Sequence, residues 1–106
     1  MNLIVLKQAR RELQDAPADI IEDVFSLFDD LMAGKHLNMP ISRSLPSIAK
    51  GLHELRLSGG AGEFRVFYVI RTKEGIYIIH ATEKKTQKTD QRTIGLLKKR
   101  IRELSK

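Results

Sequence analysis

The side chains with the most chemistry in this 106-residue chain are cations. Arg56 and Arg65 lie within runs of alternating apolar residues, and Lys84, Lys85 and Lys88 follow such a run at once. Guanidinium and ammonium groups held at fixed spacing bind phosphate oxygens and stabilise negative charge that builds on them. His80 adds a group that titrates near neutrality and can give or take a proton. Each has a plainer reading beside it. Arg65 can be a surface arginine paired with Glu54 or Glu63, the lysines a solubilising loop, and His80 a structural strand residue. Other chemistries find no residues: there is no cysteine, and His36, His53 and His80 lack metal-ligand spacing, so neither a metal nor another cofactor is expected. Ser58-Gly59-Gly60-Ala61-Gly62 has glycines but no following helix or phosphate-binding lysine, and reads as a turn.

Strands must position these cations. Residues 65–71 and 76–83 are rich in β-branched and aromatic side chains, and residues 72–75, ending in Gly75, read as a four-residue hairpin connection. With an even connection, period-two alternation puts Phe64, Val66, Tyr68 and Ile70 on one face with Tyr77, Ile79 and Ala81. That face is apolar and should pack on helices. The other carries Arg65, Phe67, Val69 and Arg71 with Ile78, His80, Thr82 and Lys84. Residues 52–57 alternate as well, and the glycine-rich turn sets Arg56 opposite Arg65. Arg56, Arg65, His80 and Lys84 then share a sheet face, where Phe67 is available to stack on a base and Tyr68 is a core residue.

Around the sheet, residues 2–5 read as a short strand and Leu6, Ala9 and Leu13 as a helix ending near Asp15. A second helix starts at Pro17 and stops at Gly34, with Ile20, Ile21, Val24, Phe25, Leu27, Phe28, Leu31 and Met32 as its core stripe. Residues 35–50, with two prolines and several serines, form a long connection. Thr89 or Asp90 caps a last helix carrying Ile94, Leu97, Ile101 and Leu104. The expected architecture is a single α+β domain over residues 1–106. In it, two N-terminal helices pack on a mainly antiparallel sheet of three or four strands, followed by a C-terminal helix.

The net charge of +6 is unevenly spread. Residues 1–34 hold three basic and seven acidic side chains, while residues 84–106 hold nine and two. A basic end on a compact domain favours nucleic acid or an acidic protein through long-range attraction and counterion release. No apolar run reaches membrane-spanning length and no secretory signal is visible, so no membrane partner is expected and a cytoplasmic location is the default.

Leu52-His53-Glu54-Leu55-Arg56, Phe64-Arg65-Val66-Phe67-Tyr68 and His80-Ala81-Thr82-Glu83-Lys84-Lys85-Thr86-Gln87-Lys88-Thr89 resemble, in that order, the signatures of HigB-type, phage-related toxins of the RelE/ParE superfamily. The resemblance covers nearly the whole chain. It implies a toxin of a type II toxin–antitoxin pair, an endoribonuclease that cleaves mRNA on the translating ribosome and is neutralised by a helix-turn-helix antitoxin. It also implies Arg65, Lys84 and His80 as catalytic residues, with Arg56, Lys85, Lys88 and Phe67 binding RNA. Two positions depart from the pattern: Thr82 stands where an aromatic is usual, and Asp90 where a proline is usual. The rival readings are a ParE-like inhibitor of DNA gyrase and a non-catalytic RNA- or ribosome-binding module.

Overall fold

Eight elements follow one another in a computed structural model that describes residues 1–60, 62–71, 74–83 and 89–104. They are β1 (Leu3–Val5), α1 (Lys7–Gln14), α2 (Ala18–Met32), β2 (Ser42–Ser44), β3 (Leu52–Gly59), β4 (Gly62–Arg71), β5 (Gly75–Glu83) and α3 (Gln91–Leu104). The α+β expectation holds, with both N-terminal helices and the C-terminal one in place. The sheet has five strands where three or four were expected, in the order β1-β5-β4-β3-β2. Its extra member is β2, a Ser-Arg-Ser segment of low strand propensity inside the long connection. It pairs antiparallel with β3 and buries Ser42, whose hydroxyl lies 2.6 Å from that of Tyr68. Only β1 runs parallel to its neighbour, β5.

The β3–β4 register is as expected, with Arg56 opposite Arg65. The β4–β5 register is not. Gly75 belongs to the strand and pairs with Arg71, so the connection is one residue shorter than expected, and Tyr68 faces Ile78. A register shift between Phe67 and Tyr68 then restores the expected pairs, Phe67 with His80 and Arg65 with Thr82, leaving Ile79 as the extra residue of a bulge. The odd turn inverts parity over residues 76–79. Ile78 therefore packs with the N-terminal helices, and Tyr77 and Ile79 with α3, the reverse of the sequence expectation.

Both faces of the sheet are covered. On one, α1 and α2 bury Ala9, Leu13, Ile20, Val24, Phe28 and Leu31 against Leu55, Val66, Tyr68, Ile76 and Ile78. On the other, Leu97 of α3 closes over Leu52, Phe67, Val69 and Ile79. The expected stripe of α2 was wider than one sheet can cover. Phe25 is 56% and Met32 40% exposed, because they lie on the side of the helix turned from the strands. At its start, Asp19 accepts a hydrogen bond from the backbone N–H of Gly60 at 3.1 Å, fastening the β3–β4 turn to α2.

At the start of β5, the N–H of Ile76 donates to the carbonyl of Asn2 at 2.8 Å. Gly75 has φ +120°, and a Cβ there would collide with that same carbonyl. Gly75→Ala is therefore expected to cost about 1–3 kcal/mol in a urea unfolding experiment. Gly60→Ala, at a position with nothing near its Cβ, should stay within about 0.5 kcal/mol of wild type.

Candidate functional site

The cations of the α3-side face are arranged about a buried carboxylate. Glu54 and Arg56 are two residues apart on β3 and so point the same way, and Arg65 stands across from Arg56 on β4. Two guanidiniums side by side repel. Glu54 offsets this with one oxygen 3.6 Å from Arg56 Nε and the other 3.5 Å from Arg65 Nε. The Arg65 side chain is only 6% exposed, whereas that of Arg56 is 27% exposed. Of the two, Arg56 is the one solvent and a ligand can reach. Arg65 also lies in the field of Asp90, whose carboxyl caps α3 by accepting the N–H of Thr93 at 2.7 Å. That hydrogen bond first, with the charges of Arg92 and Arg65 adding, holds the Asp90 carboxyl below its usual range.

His80 occupies the neighbouring row, opposite Phe67, and its ring stacks on that of Phe67 with centroids 5.8 Å apart. Phe67 is fully buried under α3, so the expected base-stacking surface is a core residue instead. Tyr68 is buried on the other face, as expected. Lys84, Lys85 and Lys88 lie outside the described residues.

A second cluster, which the sequence reading missed, surrounds His80. Its Nδ1 is 2.9 Å from Glu12 Oε1, and Glu12 also accepts the backbone N–H of Ala81 at 3.2 Å and two hydrogen bonds from Arg100, at 2.8 and 3.1 Å. Arg100 donates further to the carbonyl of Ile79, the bulge residue, at 2.8 Å. Burial alone would push the Glu12 carboxyl up. The hydrogen bonds from His80 and Arg100 outweigh it and bring it down to about 2. An ionised carboxylate only accepts, so the shared proton is on Nδ1 and the lone pair of His80 is on Nε2. The signal for these residues was available. Glu12 falls on the stripe of Ala9 and Ala16, and Arg100 on that of Leu97 and Leu104, so each is a charge on an apolar helix face.

The sequence matches the model of a family described as "Phage derived protein Gp49-like (DUF891)" over residues 11–102. No curated protein matches it. Among solved structures, a mutant of the E. coli toxin RelE in the free state superposes with a TM-score of 0.52 at 12% identity, covering 96% of this chain and 95% of that one. The intact E. coli RelBE toxin–antitoxin complex contains a chain with a TM-score of 0.47 and 14% identity, covering 79% of this chain and 96% of that one. At such identities the likeness to the free RelE mutant is one of fold.

Two measurements probe the clusters. Glu12 has its carboxyl depressed on folding, so its contribution is complete above the unfolded value near 4.5 and is lost as pH falls through about 2. The urea midpoint of wild type should fall across that window, and Glu12→Gln should start lower at neutral pH and fall less steeply. Arg65→Ala leaves Glu54 buried beside Arg56 alone, and should cost on the order of 3 kcal/mol in the same assay. This replaces the expectation that Arg65 projects from the fold and can be removed without loss.

Proposed function

The chain belongs to the Gp49-like family of phage-derived proteins, and from that premise we propose that it is the toxin of a type II toxin–antitoxin pair. It acts as a ribosome-dependent endoribonuclease of the HigB type that cleaves mRNA and stops translation, and its cognate partner is a helix-turn-helix antitoxin. The observation that carries this reading is the row of Arg56 and Arg65 about Glu54, next to a histidine whose Nδ1 is held by a carboxylate. Phosphoryl chemistry on RNA asks for that combination. A ribose 2′-hydroxyl attacks the adjacent phosphate, its proton leaves, and charge builds on the non-bridging oxygens.

In this reading Arg56, with Lys84, Lys85 and Lys88, binds phosphates along the strand. Arg65 stabilises the charge that develops at the scissile phosphate, and its low exposure suits that task, since a fixed, desolvated donor costs no reorganisation at the moment of reaction. His80 exchanges the proton through Nε2, with Glu12 fixing its tautomer. Lys84 assists at the reacting phosphate.

Pulse labelling after expression without a partner tests the reading. Protein synthesis should fall at once while DNA synthesis continues. The opposite order points to a gyrase inhibitor, and no effect on either points to a binding module. On programmed ribosomes, Arg65→Lys, which keeps a cation beside Glu54, should stay folded yet lose about 10²–10³-fold in single-turnover cleavage. Arg56→Ala should instead weaken ribosome binding and flatten its salt dependence. Wild-type cleavage by folded Arg65→Lys removes Arg65 from the mechanism.

A further inference from the structure

On the side of the molecule away from the arginine row, α1 and α2 leave an apolar groove of 480 Å³ between them. Val5, Leu13, Ile21, Phe25 and Phe28 line it, and Arg10 and Gln14 form its α1 edge. Phe25 stands at the mouth, edge-on to Phe28 at 6.3 Å, and Met32 continues the ridge two turns along. Burying more than half of a phenylalanine and much of a methionine elsewhere would have been simple for this sequence. Instead the ridge is left open, flanked by charge. Glu22 and Asp29, three residues before Phe25 and four after it, are its neighbours on the helix surface, and both are exposed. Among the described residues neither enters an ion pair, and neither does Arg10 across the groove.

We propose that this groove docks an amphipathic helix of a second, different protein, one with a ridge of large apolar residues and a row of lysine or arginine along the side that faces α2. The apolar groove supplies the contact area and the unpaired acids on α2 set the orientation, with Arg10 asking for an acidic or polar residue on the opposite side. A second copy of this chain does not meet the requirement. Its strongly basic helix is α3, and the apolar side of α3 is already committed to the sheet through Leu97. The inference depends only on the groove, and stands or falls separately from the reaction proposed above.

The probes are two fluorescent synthetic helices with the same leucine ridge, one edged with lysine and arginine toward α2 and the other edged with glutamate on both sides. Anisotropy titrations on the full chain at low salt should show the basic-edged helix binding at least about tenfold tighter. Phe25→Ser should weaken that binding by a similar factor, with circular dichroism and thermal unfolding verifying the fold. Glu22→Lys with Asp29→Lys should reverse the preference between the two helices. Equal affinity for both helices, no binding of either, or binding indifferent to Phe25→Ser overturns the proposal. So does a concentration-dependent dimer of the wild type that Phe25→Ser dissociates, since the occupant would then be a second copy. Translation arrest measured on the same variants reports on the proposed toxin activity independently.

Discussion

The bidentate grip of Arg100 on Glu12 holds together parts of the molecule that share no other polar contact. Glu12 comes from α1, which packs on one face of the sheet, and Arg100 from α3, which packs on the other. They meet around the margin of β5, past the point where β1 stops pairing with it. There the backbone of Ala81 and the carbonyl of Ile79 would otherwise lack strand partners, and the two side chains supply them. A charged pair in this position satisfies donors and acceptors that a hydrophobic pair would leave bare, which is the circumstance in which a part-buried ion pair justifies its desolvation. The bulge depends on it directly, because the carbonyl of its extra residue ends on Arg100.

That bulge in turn determines what the α3-side face can present. It brings β5 back into the register that sets His80 against Phe67 and Thr82 against Arg65. Without it the odd-length turn would carry His80 to the helix-packed core, far from the arginines. Two carboxylates then divide the face between them. Glu54 neutralises the paired guanidiniums in the interior, and Glu12 orients the imidazole at the margin. The face is consequently less positive within than its residue list implies, and its free positive potential lies toward Arg56.

How much of this was legible in the sequence depended on the range of the interaction responsible. Periodicity gave α1, α2, α3, the strand character of β3, β4 and β5, and the pairing of Arg56 with Arg65, since all of these are set by neighbours a few residues away. The faces of Tyr77, Ile78 and Ile79 came out inverted, because parity propagates an error of one residue in the turn along the whole strand until a bulge cancels it. Exposure of Phe25 and burial of Phe67 were misjudged for a related reason. A stripe records which residues are apolar, and only the packed structure decides which helix covers them. The Glu12, His80 and Arg100 cluster joins three elements far apart in sequence, and its only local trace was a charge on each of two apolar stripes. β2 left no trace at all, as its three residues are held by what they meet rather than by what they prefer.

The parallel pairing of β1 with β5 has a consequence for how the chain comes into being. Leu3 is among the first residues synthesised, yet its strand partner is Ile76. While translation proceeds, β1 has no place to dock and the apolar side of α2 has no complete sheet beneath it. Neither does the grip on Glu12 exist until α3 has been made. Assembly is therefore deferred by topology: closing so long a loop is slow, and the emerging polypeptide carries bare apolar surface throughout the wait. A molecule wired in this order exists as a working fold only after nearly all of it has been translated, and until then it is a client for whatever binds unfinished chains.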